Sequence, residues 1–453
     1  MKNGDNQQVI QQRMTTRPVS RLINRLAVPS IIGMLTTAIY NMADTYFVSM
    51  ISTSASAAVG ISLPLATIIQ AAGFMFAMGA GSLISRSLGA KNVRKADDAF
   101  ATALAGVAVL TMLILIFGQL FLTPMLRLFG ATDTALPYAQ SYARILLFGA
   151  PVLGMSFVFN HSLRAQSRNI LSMIGLMTGG ILNIVLDPVF IFGLDLGIAG
   201  AAWATVISQI VSLSVLIWMM HYKSELTFRL SGVSRRMRDY LEIAKIGAAS
   251  LLRQLLASLA VLIQNNQAAV YGDSALAAIA IVGRMALLVL SIAFGIGLGF
   301  QPVAGYNYGA GLYKRVADAW RYAYILMTSI AGVLAVVFFI FSPSLLALFR
   351  PDDAAVLEIG TRSLRLHAVG MAVMPFQITT NMLMQSTGRA REAAFLSTTR
   401  QGVFFIPLIL ILPQLFGLLG VQLAQPISDV LASLAAIPLL IGYIRKLRRN
   451  QPR

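Results

Sequence analysis

Three acidic residues lie inside long apolar segments of this sequence, where charge is rare: Asp44, Asp187 and Asp429. A carboxylate at bilayer depth costs about 2.5–3.5 kcal/mol on insertion scales, so an acid retained there is a candidate functional residue. The alternative for Asp44 is that it caps a helix at the membrane interface. Whether Asp44 is a functional residue or a helix cap depends on which polar side chains lie close to it.

Asn183 and Asp187 are one helical turn apart and therefore share one face of a predicted helix. Pro188 follows them, and its missing N–H frees carbonyl groups of the preceding turn. Thr205, in the next apolar segment, and Asp44 are expected at a similar depth. Oxygens of carboxylate, amide and hydroxyl groups suit Na⁺ or a proton. The alternative is that Asn183 and Thr205 only satisfy hydrogen bonds between helices.

These residues require a membrane-embedded scaffold. The chain has 453 residues, 57% of them hydrophobic and 11% charged, whereas a soluble domain carries about 25% charged residues. A membrane-spanning helix needs about 20 apolar residues. The sequence contains twelve such segments, at 22–48, 55–85, 98–121, 138–162, 170–192, 198–221, 241–271, 275–304, 317–341, 358–384, 393–413 and 418–444.

The loops between these segments alternate in charge. Basic residues, which give the chain a net charge of +18, collect in both terminal segments and in every second loop. The remaining loops are uncharged or carry aspartates, in one case with an arginine, Arg350, beside Asp352 and Asp353. Cytoplasmic loops of membrane proteins are enriched in Lys and Arg, so both termini are predicted to be cytoplasmic and the number of spans to be even. The same distribution argues against a nucleic-acid partner.

The two halves of the chain repeat each other at a nearly constant offset. The pairs that keep this offset are Phe74 with Phe294, Gly79 with Gly299, Ser87-Leu88-Gly89-Ala90 with Asn307-Tyr308-Gly309-Ala310, and, shifted by a single position, Asn160 with Asn381. Shared composition alone would not keep one offset across three spans. Six spans per half give both halves the same orientation, and transporters with parallel repeats hold substrate at the repeat interface.

The predicted fold is therefore all-α: an integral membrane protein with twelve transmembrane helices in two pseudo-symmetric six-helix bundles around a central cleft. Residues 1–20 are expected to be a mobile cytoplasmic tail, and residues 21–221 to form an N-lobe of helices 1–6. A basic cytoplasmic linker at 222–240 leads to a C-lobe of helices 7–12 at 241–445, followed by a basic cytoplasmic tail at 446–453.

No enzyme signature is present. The sequence has no Walker A loop, no HExxH motif, no zinc-ligand spacing and no cysteine. We expect no enzymatic activity and no cofactor, and any transport should be driven by an ion gradient.

Motifs along nearly the whole chain resemble the multidrug and toxic compound extrusion (MATE) transporters. The matching residues are Pro29, Tyr40-Asn41-Met42-Ala43-Asp44-Thr45, Ser87-Leu88-Gly89-Ala90, Leu163-Arg164-Ala165-Gln166, Asn183, Leu186-Asp187-Pro188, Gly200-Ala201-Ala202-Trp203-Ala204-Thr205, Gln301-Pro302, Tyr306-Asn307-Tyr308-Gly309-Ala310 and Gln425-Pro426-Ile427-Ser428-Asp429. The pattern is most similar to the bacterial branch of DNA-damage-inducible (DinF) and MepA-type proteins.

The resemblance implies an N-lobe site for H⁺ or Na⁺ and an adjoining substrate cavity. The implied cation-site residues are Asp44, Asn183, Asp187 and Thr205, and the implied cavity residues are Tyr40, Asn41, Tyr142 and Asn160. No metal other than a possible Na⁺ at the cation site is expected. The implied setting is a monomer in the bacterial cytoplasmic (inner) membrane that handles small organic cations or drugs.

One departure concerns the second half. The branch typified by NorM proteins carries a glutamate in span seven, whereas the nearest candidates here are Arg253 and Gln254, which argues against a NorM-type C-lobe ion site. Asp429 is instead predicted to pair with Arg284, because unpaired charges within a membrane are costly. Pro29, in the same span as Asp44, is predicted to act as a hinge.

The implied function is secondary active export of cationic or amphipathic organic compounds in antiport with H⁺ or Na⁺. The alternative is a flippase or exporter of a lipid-linked precursor, which would require arginines focused in the cleft to bind pyrophosphate. A structural membrane protein is a third reading. It would not need acids buried at matching depths.

Overall fold

The computed structural model describes residues 2–350 and 352–449, and in that part of the chain all regular structure is helical. The helices are α1 Lys2–Thr16, α2 Val19–Ser49, α3 Thr53–Gly89, α4 Val93–Leu120, α5 Leu122–Leu128, α6 Leu136–Ala165, α7 Asn169–Pro188, α8 Gly197–Lys223, α9 Met237–Ala269, α10 Asp273–Gly309, α11 Tyr313–Ala347, α12 Ala354–Ser386, α13 Ala390–Thr398, α14 Ile406–Phe416 and α15 Leu418–Arg449. Two π-helical segments, Val189–Gly193 and Thr399–Phe405, extend α7 and join α13 to α14.

Eleven helical segments of the described chain are long and apolar enough to cross a membrane. The remaining predicted span corresponds to α12, which is 33 residues long but carries more polar side chains. Gln377, Thr379, Asn381 and Gln385 of α12 are buried against neighbouring helices. The all-α membrane fold of two six-helix bundles is therefore confirmed.

Both bundles build the same corner where two spans meet. Asn160 Nδ2 donates a hydrogen bond to the carbonyl of Ser172 over 3.0 Å. Asn381 Nδ2 donates to the carbonyl of Ala393 over 2.8 Å. Donor and acceptor are separated by the same length of chain in both corners, so the sequence repeat is also a repeat of local structure.

The turns after these helices also match in backbone conformation. Ser167 (φ 63°) and Gly388 (φ 77°) both adopt the left-handed region, as do Lys91 (φ 60°) and Gly311 (φ 72°). Only the second half places glycine at these positions. A residue with a Cβ pays about 1–2 kcal/mol for this conformation.

The end of α3, in the first half, crosses the end of α10, in the second half, with the two backbones in direct contact. A Cβ on Gly89 would overlap the carbonyl of Tyr306, and a Cβ on Gly309 would overlap the carbonyl of Arg86. Arg86 and Tyr306 occupy equivalent positions in the two halves, so the contact is reciprocal. Glycine is required at both positions because no side chain fits between the helices.

The contacts between the halves lie toward the side of the membrane that holds α1 and the end of α15, here called the terminal side. Gly79 packs on Ile243 and Gly299 on Ala27. Gln254 Nε2 donates to Gln70 Oε1 over 3.4 Å, near the middle of α9 and α3. Among the described residues, no side-chain hydrogen bond joins the halves on the far side of this contact from the terminal side. The space between the halves on that far side is called the cleft.

The N-terminal segment differs from the expected mobile tail. It forms α1, and Met14 is buried to 1% exposure. The Met14 carbonyl accepts hydrogen bonds from Asn307 Nδ2 over 3.2 Å and from Arg315 Nη2 over 3.3 Å. The expectation failed because polar composition alone does not reveal that one methionine and its carbonyl dock against the second half.

The predicted linker at 222–240 packs on the N-lobe, and the described part of the predicted C-terminal tail is helical. Between α8 and α9 the chain packs on α4, where the Thr227 amide donates to Asp97 Oδ1 over 2.9 Å. The Ser234 amide donates to Thr102 Oγ1 over 3.1 Å. Residues 446–449 continue α15, and residues 450–453 of the expected tail lie outside the described residues.

Candidate functional site

A polar cluster forms where α7 meets α8, in the half of the membrane away from the terminal side. Asn183 and Asp187 of α7 are 3% and 0% exposed. Asn183 Nδ2 donates to Asp187 Oδ1 over 3.2 Å and to Thr205 Oγ1 of α8 over 3.3 Å. The structure therefore brings together the amide, carboxylate and hydroxyl that the sequence placed at one depth.

Asp44 reaches this cluster from α2. Its side chain lies on the same face of α2 as that of Tyr40, four residues earlier. Tyr40, one turn earlier on α2, packs against Gly180 of α7, where a Cβ would lie 3.2 Å from the tyrosine ring. The small residue at 180 lets α2 approach α7, which positions Asp44 beside the α7 acid.

Three buried oxygens of the cluster lack a hydrogen-bond partner: Oδ1 of Asp44, Oδ1 of Asn183 and Oδ2 of Asp187. A buried acceptor without a partner costs about 1–3 kcal/mol. A proton on a carboxylate, or one Na⁺ between the oxygens, would satisfy acceptors that the protein leaves open. The donor set therefore fits a small hard cation.

The predicted cavity residues divide into two groups. Tyr142 of α6 is 6% exposed and is buried in an apolar cluster that includes Val48 of α2 and Ile191, just beyond α7. Asn41 is exposed on α2, and its side chain makes no hydrogen bond to the cluster. Asn160 does not join them, because it lies five turns beyond Tyr142 on the same helix, roughly 27 Å along it. Its place along the substrate cavity therefore stays a prediction.

Asn160 instead supports a buried arginine near the terminal side. Its Oδ1 accepts a hydrogen bond from Arg164 Nε over 2.9 Å, while its Nδ2 bonds the Ser172 carbonyl. Arg164 lies at the start of one of the basic loops in the sequence. Its burial to 4% exposure was missed, although its position at the end of an apolar span was a signal.

The predicted pair of Asp429 and Arg284 was wrong. Arg284 is exposed, whereas Asp429 Oδ1 accepts from Arg400 Nε over 2.7 Å and from Gln425 Nε2 over 2.9 Å. Arg400 belongs to the π-helical segment between α13 and α14. It lies inside the predicted span 393–413, so a second intramembrane arginine was visible in the sequence and was overlooked.

Pro29 is buried within α2, and the helix continues through it from Val19 to Ser49. Two residues further along α2, on a different side of the helix, Ile31 packs on Gly295 of the other half. The hinge role therefore stays a prediction.

The comparisons with known proteins agree on one family. A family model described as MatE matches residues 29–189 and 249–411, two segments that begin at equivalent positions of the repeat. The multidrug export protein MepA of Staphylococcus saprophyticus is 28% identical over 424 residues, which cover 93% of each chain. MepA of Staphylococcus aureus strain bovine RF122 / ET3-1 is 29% identical over 433 residues and 95% of each chain.

Solved structures give the same result. A crystal structure of MATE in complex with MaL6 superposes with a TM-score of 0.92 at 26% identity, covering 96% of this chain and 99% of that one. A MOP superfamily transporter from Pyrococcus furiosus Vc1 superposes with a TM-score of 0.90 at 27% identity, covering 96% and 98%. Together with the family match over most of the chain, these likenesses establish that the protein belongs to the MatE family of membrane transporters.

Proposed function

We propose that the protein is a multidrug exporter that moves small cationic or amphipathic organic compounds across a bacterial cytoplasmic membrane in exchange for H⁺ or Na⁺. The observation that carries this proposal is the cluster of Asp44, Asn183 and Asp187, with three buried oxygens that lack partners. The names of the MepA relatives, which describe multidrug export, support the substrate class.

In this proposal the two carboxylates alternate between ligands. Asp44 and Asp187 repel each other when both are ionised in a low-dielectric site, so binding of one cation is favoured. A coupling ion entering from outside neutralises the pair and weakens its attraction for a cationic substrate. The substrate then leaves through the cleft while the ion is bound.

The ion gradient supplies enough energy for this exchange. A pH difference of one unit is worth about 1.4 kcal/mol per proton, and a potential of 100 mV adds about 2.3 kcal/mol per charge moved. For a neutral substrate their sum, about 3.7 kcal/mol, corresponds to several-hundred-fold accumulation per proton. A one-for-one exchange of a monovalent cation for a proton moves no net charge, so only the pH term remains, about tenfold per pH unit.

We further propose that the terminal side faces the cytoplasm, as the charge of the loops favours. The contacts between the halves then close the cytoplasmic side, and the cleft opens outward. The chain would act as a monomer, since each bundle contributes to one cleft. Hinge motion of α2 at Pro29 would accompany the change in charge at Asp44.

Gradient-driven efflux from proteoliposomes tests the proposal. A fluorescent organic cation is loaded, and a pH gradient or a Na⁺ gradient is imposed separately. We expect Asp187→Asn and Asp44→Asn to lose gradient-driven efflux, and Asp133→Asn, an acid with 87% side-chain exposure, to keep it. Efflux that is unchanged in both site variants would overturn the mechanism, and the gradient that drives wild-type efflux identifies the ion.

The flippase alternative is less well supported. It requires arginines gathered in the cleft, but Arg144, Arg284, Arg350, Arg362 and Arg365 are all exposed and dispersed over several helices. Transport of a lipid-linked pyrophosphate analogue in the same vesicles, unaffected by Asp187→Asn, would favour it.

A further inference from the structure

Three charged side chains form an exposed stripe in the first turns of α12: Glu358, Arg362 and Arg365. They are spaced by four and three residues, so they lie on one face of the helix. None of them belongs to the four ion pairs found among the described residues. Charge is costly in a membrane-spanning helix, and here the protein supplies no opposite charge in contact with it.

The stripe lies on the lipid-facing exterior of the second half. The guanidinium carbon of Arg365 lies 5.6 Å from the ring centre of Phe339 on α11, and that ring is half exposed. Ile340 and Phe341, the next two residues of α11, are also exposed. Large apolar side chains exposed at membrane depth contact lipid tails, which are as apolar as leucine. A ligand of the stripe therefore comes from the bilayer.

Arg365 is held in place by contacts at a proline of α11. Pro343 has no N–H, so the carbonyl of Phe339, four residues earlier, lacks its helical hydrogen bond. Arg365 Nε donates to that carbonyl over 3.3 Å and to Ser342 Oγ over 3.1 Å. These bonds use only Nε, and a guanidinium carries its other N–H donors on the two terminal nitrogens. Arg365 is thus fixed in position while most of its donors stay available.

The three residues are ordered by depth along α12. The helix has 33 residues and is roughly 50 Å long, whereas a hydrocarbon core is about 30 Å thick, so about 10 Å of helix reaches into each headgroup layer. Counted from Ala354, Glu358 lies roughly 6 Å along the helix, Arg362 roughly 12 Å and Arg365 roughly 16 Å. Side chains tilt toward the N-terminus of a helix. The carboxylate therefore lies in the headgroup layer, and both guanidinium groups lie at its inner boundary.

A depression of about 520 Å³ lies over this stripe. Ligand pockets of proteins have volumes of about 300–1,000 Å³, so a lipid headgroup can be accommodated. The lining combines the three charged side chains with a hydroxyl and two apolar side chains, those of Thr361, Leu357 and Leu366. The depression therefore offers negative charge, positive charge and apolar surface on one helix face.

We propose that Glu358, Arg362 and Arg365 bind the headgroup of a phosphatidylethanolamine molecule of the surrounding bilayer. Its phosphate oxygens accept hydrogen bonds from the two arginines, and its ammonium group donates to Glu358. In this lipid the amine follows the phosphate outward from the glycerol, which matches the order of the three residues in depth. A choline headgroup has no N–H to offer Glu358. The inference goes beyond the proposed export function, because it concerns the lipid around the protein and not the compound that is moved.

Quenching of a single fluorescent label tests the site. Because the chain has no native cysteine, Val369→Cys allows one bimane label to be placed one turn beyond Arg365 on the same exposed stripe. Full-length protein in dodecyl maltoside is titrated with phosphatidylethanolamine or phosphatidylcholine that carries a nitroxide on one acyl chain. We expect phosphatidylethanolamine to bind roughly tenfold more tightly, as for one hydrogen bond to a charged group.

Each charged residue has its own expected effect. Arg362→Gln and Arg365→Gln should weaken both lipids roughly tenfold, because both lipids carry the phosphate. Glu358→Gln should weaken only phosphatidylethanolamine and bring it to the level of phosphatidylcholine. Arg144→Gln is the matched control. It removes the repeat-equivalent arginine of the first half, where Ser141 occupies the place of Arg362, and it should change neither affinity.

A second label distinguishes the site from general contact with lipid. Phe148→Cys places it at the exposed, repeat-equivalent position of the first half. The two lipids should quench this label equally in the wild type and in every variant, and an unchanged melting temperature shows that each variant is folded. Equal affinities of the two lipids at Val369→Cys would overturn the proposal. So would a preference that survives Glu358→Gln, affinities unchanged in Arg362→Gln, or tighter binding of nitroxide-labelled phosphatidylglycerol, which would indicate a simple anion site.

Discussion

Arg400 Nε donates to Asp429 Oδ1 over 2.7 Å, and this is the one ion pair among the described residues that joins two membrane-spanning segments of the second half. Gln425 donates to the same oxygen over 2.9 Å. The pair involves a π-helical turn, which shifts the register of the helix that carries Arg400. The last two spans of the second half therefore hold an acid–base pair, whereas the corresponding spans of the first half, α7 and α8, hold an acid, an amide and a hydroxyl.

We predict that removing one partner of the Arg400–Asp429 pair destabilises the protein more than removing both partners. Arg400→Leu or Asp429→Leu leaves one buried charge uncompensated, which costs about 3–5 kcal/mol. The double variant should recover much of that loss. Thermal unfolding in detergent measures the effect, with Arg284→Leu as an exposed control. A double variant no more stable than the single variants would contradict the prediction.

The second prediction concerns the amide that bridges the proposed cation site. Asn183→Leu removes the donor shared by Asp187 and Thr205 and should weaken coupling-ion affinity about ten- to a hundredfold, as for hydrogen bonds to charged groups. Efflux rate measured against Na⁺ concentration or external pH reports that affinity. Thr178→Val, on the same helix but bonded only to the Ile174 carbonyl, should leave it unaltered. Equal curves for Asn183→Leu and wild type would show that the amide has no part in coupling.

The third prediction uses the helix crossing on the terminal side. Gly309→Ala would force a Cβ into the backbone of Arg86 and should hold the halves apart there. Because the chain has no native cysteine, one introduced by Ser82→Cys can be labelled alone with a maleimide. Ser82 is 7% exposed, so labelling should be slow unless the halves separate. Gly332→Ala, which meets open space, is the control, and an unchanged labelling rate in Gly309→Ala would refute the prediction.

The fourth prediction concerns the docking of α1. Arg315 Nη2 donates to the Arg17 carbonyl over 2.6 Å and to the Met14 carbonyl over 3.3 Å. Arg315→Gln should speed hydrogen exchange of the α1 amides about ten- to a hundredfold, the equivalent of about 1–3 kcal/mol. Arg321→Gln, at an exposed arginine of the same helix, should have no effect. Exchange equal to wild type in Arg315→Gln would mean that other contacts hold α1.

The fifth prediction concerns the hinge in α2. Pro29→Ala restores a backbone N–H and stiffens the helix, so efflux should slow while substrate binding is largely kept. Rates of efflux and equilibrium binding of the same fluorescent cation separate the two effects. Unchanged efflux would count against a hinge at Pro29.

Contacts that are set by spacing along one helix could be predicted from the sequence. Contacts that depend on how a helix is rotated, or on how it docks against another helix, could not. Asn183 and Asp187 are close because they are one turn apart, and both halves repeat because their motifs keep one offset. The partner of Asp429 could not be chosen in this way, since Arg284 and Arg400 both lie in spans and only packing distinguishes them.

The glycine crossing of α3 and α10 has a kinetic consequence. Since Gly89 and Gly309 present no side chains, the helices meet there without interlocking. Separation then requires no change of side-chain rotamer at the crossing, and the activation barrier carries little steric component. Turnover would be paced by the occupancy of the ion and substrate sites, with the crossing free to open and close between them.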